Sequence, residues 1–478
     1  MDAALEQEIK LQAGDEFPGI PLPGRELPAR TLWSTYFDTE QLRLAGSSIT
    51  LRRRVESADG DGPGAWQLKL PCGDDRLELE WDAPDVRVPR ELEQLLLAHT
   101  RGAPLVAVAT LRQERAGVMV ERDGTDVAMV LHDTVEVRED GEVVDLFEEL
   151  EVELVEGNRA DLKWLESELR NVGAVDPDGR PKVLQALDVP ARRAAAMPRK
   201  RSDEQLAAAL RDQYYEILRH DPGTRLGDAE QLHDHRVAVR RLRALLRAGR
   251  PMLDRQWADG LRDALKPAGE ALGRVRDLDV LVADVEQRSA ALEDRERAGA
   301  TDISDLLRDR RAGAQTMLLS ELSDSRYLSL LNRLQAATDE PRIIAVESPA
   351  KMLRKEHRRA RRRARRASPD TASAAELHEL RKAVKHARYA AELAAASGVK
   401  GARGYVKRAK TVQDILGDHQ DGVVAARVLA DLDHELQRPM AHAAVDSLIE
   451  QQESRKLAAR KALPKAWRRL DKRARRFC

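Results

Sequence analysis

The sequence predicts an α+β chain: an antiparallel β barrel with charge on its inner face, then an all-α region built from a duplicated helical unit. Three observations predict it. Short stretches of alternating apolar and polar residues recur through the first half and give way near residue 203 to long Ala/Leu/Arg-rich helical periodicity. The charge divides near the same place. Residues 1–195 carry 23 Lys and Arg against 40 Asp and Glu, a balance of −17, and residues 196–478 carry 58 against 42, a balance of +16. Finally, two motifs of the basic half return in the same order about 145 residues later. An acidic half joined to a basic half implies two electrostatic tasks, and 478 residues exceed the usual size of one domain.

The alternating segments are residues 5–11, 31–37, 49–55, 66–70 and 77–81, then 107–115, 118–121, 127–131 and 147–155, with a helix predicted near 90–99. Asp123-Gly124 and Asp140-Gly141 favour hairpins. Residues 158–171 have helical spacing, with Leu162, Leu165 and Leu169 on one face.

The charges fall on matching strand faces, because side chains alternate. Glu6, Glu8 and Lys10 share one face, Arg52 and Arg54 another, and Lys69 follows on the next strand. Glu78 and Glu80 oppose Leu77, Leu79 and Trp81; Glu151 and Glu153 oppose Val152 and Leu154. If helices cover the apolar faces, the charged faces point into a lumen. Unpaired charges there are prohibitive, whereas cations, water, a metal ion and a polyanion together make them tolerable. Hard divalent cations prefer such carboxylate oxygens. The competing reading is a plain antiparallel sheet with one solvated face.

Residues 190–201 (PARRAAAMPRKR) read as a linker, giving a first domain over 1–190, a linker over 191–202 and a helical domain over 203–478. In that domain the run from Leu232 to Arg240 returns from Leu377 to Lys385, and Leu272-Gly273 with Asp277 returns as Leu416-Gly417 with Asp421. Lys266 and Lys410 correspond as well, so the copies span about 203–340 and 345–478. His233, Arg236, Arg240, Arg243 and Arg247 step by three and four, which makes one helical stripe, and His378, Arg381, Lys385 and Arg388 repeat it. Like charges at this spacing repel unless an anion neutralises them. A third run, residues 354–366, holds nine Arg or Lys with His357. Any one run suits a solvated helix face; paired stripes on duplicated helices point to an anion-binding groove.

Cys72 and Cys478 have no metal-ligand spacing, so the expected compartment is the reducing cytoplasm. No apolar run approaches the ~20 residues needed to span a bilayer, and no signal peptide is expected.

The first half resembles the CYTH domains, or triphosphate tunnel metalloenzymes. The resemblance rests on Glu6-Gln7-Glu8-Ile9-Lys10, on Tyr36-Phe37-Asp38-Thr39 leading to Leu51-Arg52-Arg53-Arg54, and on Lys69, Glu78-Leu79-Glu80, Glu151-Val152-Glu153 and Lys182. It implies an eight-stranded antiparallel tunnel that binds a triphosphate with Mg²⁺ or Mn²⁺. Most bacterial members hydrolyse inorganic triphosphate; others act on thiamine triphosphate or cyclise ATP. By resemblance Glu6, Glu8, Glu151 and Glu153 form the metal side, joined by Glu78 and Glu80 there or in charge balance. Lys10, Arg52, Arg54, Lys69 and Lys182 form the phosphate side, with Arg115 and Arg122 from the next basic strand. Glu6, Glu8, Lys10 and Glu153 are the catalytic candidates.

The second half resembles the CHAD family. Its H-x-x-R-V-x-x-R-R-L-R pattern stands as His233 to Arg243 and its L-G-x-x-R-D pattern as Leu272 to Asp277, with a degenerate second copy. The resemblance implies two four-helix bundles whose basic channel binds inorganic polyphosphate, with polyphosphate granules as a location. The expected function is metal-dependent hydrolysis of inorganic triphosphate beside a polyphosphate-binding domain. Its alternatives are a non-catalytic polyphosphate-binding protein and a thiamine triphosphatase. Nucleic acid is disfavoured as partner, because aromatics are 3% of the chain and stacking platforms are scarce.

Overall fold

The computed structural model describes all residues except 1, 15–16, 21, 73–74, 84, 178–179, 181, 188–200, 369–370 and 476–478, together with the side chains of residues 2, 3 and 6. Most of the predicted linker therefore lies outside the described residues. The chain divides into two compact units, Met1–Ala196 and Met197–Cys478.

In the first unit the strands are β1 (Asp2–Glu6), β2 (Glu8–Ala13), β3 (Gly24–Asp38), β4 (Thr50–Glu56), β5 (Gly64–Cys72), β6 (Asp75–Asp82), β7 (Val106–Arg122), β8 (Thr125–Glu139), β9 (Glu142–Leu154) and β10 (Ala174–Val175). They form one antiparallel sheet in the order β1-β6-β5-β4-β3-β7-β8-β9-β2-β10. Only Gln7 separates β1 from β2, yet β1 pairs with β6 and β2 with β9. The chain through Gln7 thus joins the two sides of the sheet and closes a tunnel. This corrects the reading of residues 5–11 as one unbroken strand. A closing sheet is staggered and twisted, so the strand passes from one neighbour to the other instead of pairing with both along its length. Taking β1 and β2 as one interrupted strand, and setting aside the two-residue β10, recovers the eight strands expected.

The expected break between residues 115 and 118 is also absent, because β7 runs through it. Gly117 sits opposite Leu131 of β8, and a Cβ there would lie 2.7 Å from the Val130 carbonyl oxygen. Glycine permits this close approach.

Helices cover the apolar outer faces. Leu92, Leu95 and Leu96, at α1 (Arg90–Leu95) and its junction with α2 (Leu97–Thr100), pack with Leu51, Trp66, Leu68 and Leu79. Leu162, Leu165 and Leu169 of α3 (Arg159–Asn171) pack with Leu11, Val120, Val130, Leu150 and Val152. The faces opposite these, which carry the charges, turn inward. Val183 and Leu184 of α4 (Lys182–Ala186) join Tyr36, Leu111 and Val135, anchoring the segment that carries Lys182.

The second unit is all helix: α5 (Ser202–Arg225), α6 (Ala229–Ala248), α7 (Arg255–Ala264), α8 (Lys266–Ser289), α9 (Asp294–Ser323), α10 (Ser325–Asp339), α11 (Pro349–Arg366), α12 (Ala374–Ala396), α13 (Ala402–Asp433) and α14 (Pro439–Ala474). The sequence repeat maps α5 onto α11 and α6 onto α12. The pair α7–α8 maps onto the single helix α13, and α9 onto α14. Lys266-Pro267 opens α8 where α13 is continuous through Lys410; proline cannot supply the amide hydrogen an unbroken helix needs, but it suits a first turn. Leu353, Leu380, Val384, Tyr405, Leu416 and Leu470 share the core of the second copy. Leu281, Val285, Ile303 and Leu307 of the first copy pack with Leu429, Leu432, Val445 and Leu448 of the second, so the copies share a core.

Candidate functional site

A cavity in the lumen of the first unit is lined by Glu8, Lys10, Tyr36, Thr50, Arg52, Arg54, Gln67, Lys69, Arg76, Glu78, Arg115, Glu151, Glu153 and Lys182. β2, β3, β4, β5, β6, β7, β9 and α4 each contribute at least one of these side chains. On one side Glu8, Glu151 and Glu153 bring carboxylate oxygens within 4.8 Å of one another. Glu8 Oε2 is buried without a hydrogen-bond partner, and three hard oxygen donors suit Mg²⁺ or Mn²⁺. The donor set therefore fits a divalent cation.

Glu78 and Glu80 stand outside this trio. Glu78 lines the cavity 3.9 Å from Lys69, and Glu80 accepts a 3.0 Å hydrogen bond from Gln67. Glu78 Oε1, like Glu8 Oε2, is buried without a hydrogen-bond partner among the described residues. Of the two roles expected for the pair, metal shell or charge balance, the contacts with Lys69 and Gln67 suit charge balance. The side chain of Glu6 lies outside the described residues.

The cations occupy the rest of the wall. Lys10 donates to Glu149 (3.0 Å) and to Glu151, with Glu8 at 3.7 Å. Lys182, buried, reaches Asp133, Glu149 (3.1 Å) and Glu151 (3.3 Å). Arg52 donates to Gln67 (2.8 Å) and to the Tyr36 hydroxyl (3.2 Å). Arg54 donates to Ser34 (3.3 Å) and Gln113 (3.4 Å). Arg115 holds Asp133 through two bonds and Glu151 through a third at 2.6 Å.

Arg122 is the misplaced candidate. It lies beyond a register shift at Val120/Glu121, reaches Asp161 of α3 at 3.0 Å and covers the Trp164 ring at 5.5 Å. The helix packed on that outer face draws the side chain away from the lumen.

Burial opposes the charge on Lys10, but Glu151, Glu149 and Glu8 outweigh it and hold its pKa well above the ordinary lysine value. Burial likewise opposes ionisation of Glu151, and Lys10, Lys182 and Arg115 still hold its pKa well below the carboxylate range. Arg54 lacks such compensation: burial, Arg52 and Arg115 bring it down to about 10. Arg52 and Arg115 are held above the ordinary arginine value by their partners, so Arg54 is the under-neutralised cation of the three, a state a polyanion relieves.

Sequence reasoning missed Tyr36, Thr50, Gln67 and Arg76 on the wall, and Gln113, Asp133 and Glu149 behind it. Two of these left a signal. Glu149 extends the Glu151/Glu153 alternation by one step, and Asp133 stands on the same strand face as Leu131 and Val135, where a lone acid must be paired.

In the second unit the two stripes face each other. Lys385 of α12 is depressed to about 7 by burial and then by Arg240, Arg381, Arg388 and Arg236, so cations from α6 and α12 converge on it. The buried Nε atoms of Arg240, Arg243, Arg381 and Arg388 have no hydrogen-bond partner among the described residues. The repeat recurs in the contacts. Arg236 pairs with Asp277 (3.0 Å) and lies over Gly273, while Arg381 lies over Gly417 and is felt by Asp421. His378 bonds Gln420 at 3.0 Å, and its counterpart His233 is lowered by burial and Arg276.

Arg247 belongs to an adjoining groove with Arg250, Arg255, Arg262, Lys355 and Arg359, which brings the third basic run beside the first stripe. Lys266 and Lys410 do not join these walls: Lys266 pairs with Glu270 on its own helix at 3.7 Å, and Lys410 is exposed. His357 is buried against Tyr405, Asp471 and Trp467 and serves the core.

Residues 26–175 match the CYTH domain family and residues 208–430 the CHAD domain family. Rv2226, an uncharacterized protein of Mycobacterium tuberculosis strain H37Rv, is 28% identical over 503 aligned residues, covering 98% of this chain and 96% of its own. Among solved structures, PptA from Streptomyces chartreusis is 21% identical with a TM-score of 0.49, over 56% of this chain and 100% of PptA. The CHAD domain from the plant Ricinus communis is 27% identical with a TM-score of 0.47, over 57% of this chain and 95% of its own.

Proposed function

The chain carries a CYTH domain, a triphosphate tunnel, followed by a CHAD domain, and from that premise we propose that it hydrolyses inorganic triphosphate in the tunnel and binds inorganic polyphosphate on its helical stripes. One observation carries the first part: a carboxylate trio faces a wall of arginines and lysines inside one closed lumen. Glu8, Glu151 and Glu153 would hold Mg²⁺ or Mn²⁺, which supplies charge neutralisation and a more acidic bound water.

Arg52, Arg54, Arg115, Lys10 and Lys182 engage the phosphate oxygens and stabilise the charge that accumulates on the transferring group. Water adds to the terminal phosphorus, the bridging oxygen leaves with pyrophosphate, and orthophosphate is the second product. A carboxylate of the trio, Glu153 by our assignment, takes the proton from the water. No aromatic pocket for a thiamine or adenine ring lines the cavity among the described residues, which favours the inorganic substrate.

The polyphosphate part rests on the Nε atoms of Arg240, Arg243 and Arg381 on the paired stripes, buried without a hydrogen-bond partner among the described residues, whereas Arg388 Nε has Glu392 at 3.6 Å. Buried donors left unmade cost free energy, and a chain of phosphates supplies acceptors at regular intervals. Such binding would place the protein in the cytoplasm on polyphosphate granules. No helix is long and apolar enough to cross a membrane among the described residues.

The test is phosphate release from inorganic triphosphate, with ATP and thiamine triphosphate alongside, with and without Mg²⁺ or Mn²⁺. Metal-dependent release preferring inorganic triphosphate, lost in Glu8→Gln, is expected. No release with any metal would leave only a polyphosphate-binding protein.

A further inference from the structure

We propose that Asp133 is a positioning residue of the tunnel, holding Arg115 and Lys182 directly and Arg54 through Gln113 in the arrangement that receives the triphosphate. The inference rests on the triphosphate reading above. Asp133 is 0% exposed and does not line the cavity, so it is placed to touch neither substrate nor metal. Its Oδ1 accepts from Arg115 Nε at 2.7 Å. Its Oδ2 accepts from Arg115 Nη2 at 2.7 Å, from Gln113 Nε2 at 3.2 Å and from Lys182 Nζ. Gln113 Oε1 in turn receives Arg54 Nη2 at 3.4 Å and Ser34 Oγ at 3.3 Å.

A bidentate carboxylate fixes both the direction and the plane of a guanidinium. Arg115 and Lys182 also touch Glu151, but Glu151 belongs to the trio that fits a metal ion. Asp133 has no such second duty, and β8 places it directly opposite Arg115 on β7 and Glu149 on β9. It is the buried anchor behind the phosphate side.

A merely charge-balancing role makes the opposite prediction. Seven basic side chains and four carboxylates line the cavity. Deleting a further negative charge behind that wall raises its positive potential, so simple electrostatics tightens the binding of a polyanion. Loss of positioning weakens it instead. Asp133→Asn in the full chain separates the two. Binding of inorganic triphosphate is measured by calorimetry in chelator, kcat and KM with Mg²⁺, and folding by circular dichroism and melting.

Positioning predicts about tenfold weaker binding, from lost charge-assisted bonds, and a kcat lower by about 10- to 100-fold, from misplaced cations. Unchanged or tighter binding with unchanged kcat overturns the proposal. If Asp133→Asn fails to fold, Gln113→Leu keeps the charge and cuts the link to Arg54. A kcat loss of roughly threefold or more is then expected, and none overturns the assignment. A wild-type chain that binds no triphosphate removes the functional reading and this inference with it, whereas a wild type that binds and turns over triphosphate beside a variant that binds it and turns it over as well removes the inference alone.

Discussion

Lys385 is a half-buried lysine facing four arginines from two helices, and desolvation with those charges depresses it to about 7. The unfolded chain holds that proton up to the ordinary lysine value, so between about 7 and that value the folded chain binds fewer protons. Lys385 alone therefore makes stability rise with pH across that window. A polyanion reverses the balance, because it favours the ammonium. Below about 7 the charge is already present; above it, binding must take up a proton. Polyphosphate affinity should weaken as pH rises from about 7 to about 9, and Lys385→Arg should flatten the profile because arginine keeps its charge. Calorimetry in buffers of different ionisation enthalpy checks both the slope and the proton uptake. A pH-independent affinity in the parent chain would remove Lys385 from the binding surface. His386, depressed to about 4 by burial, Arg247 and Lys385, is neutral throughout this range and adds no charge.

At the scale of elements, α6 and α12 carry repulsion along their own length. Arg236, Arg240, Arg243 and Arg247 are spaced so that each cation meets the next, and every such pair costs a few tenths of a kcal/mol, about 0.2–0.5. Both helices begin well: Asp228 caps α6 and Ser373 closes a capping box on α12. The stripes are therefore held by caps and by apolar faces alongside them, with Leu232, Val239, Leu242 and Leu246 buried on α6 and Leu377, Leu380 and Val384 on α12. Arg240→Glu with Arg243→Glu should weaken polyphosphate binding at least about tenfold and lower its salt dependence, while Tm stays level or rises because like-charge contacts are relieved. Unchanged affinity would show that the anion goes elsewhere. Competition between DNA and polyphosphate separates the two polyanions, which salt dependence alone does not.

For the whole molecule the two units predict two separable chemistries. Glu8→Gln should abolish metal-dependent phosphate release and leave polyphosphate affinity unchanged. The Arg240→Glu, Arg243→Glu variant should do the reverse. Both functions lost in either variant would undo the two-site picture, and paired assays on the full chain decide it.

Face was legible in the sequence; partnership was not. Alternation alone put Arg52 with Arg54 and Glu151 with Glu153, and helical spacing aligned each basic stripe, because the side a residue faces depends on local periods of 2 and 3.6. The duplication, the charge divide and the change from strands to helices were equally plain. Tertiary structure decided which strands meet and so which charges meet. It passed the first strand from one neighbour to the other at Gln7, closing the tunnel. It turned Arg115 inward and drew Arg122 out to Asp161. It set Asp133 behind three phosphate-side cations, and it aimed the stripes of α6 and α12 at each other. These outcomes depend on register, twist and the packing of segments far apart in the chain. No local period encodes them, whereas burial and charge pairing do once the sheet has closed.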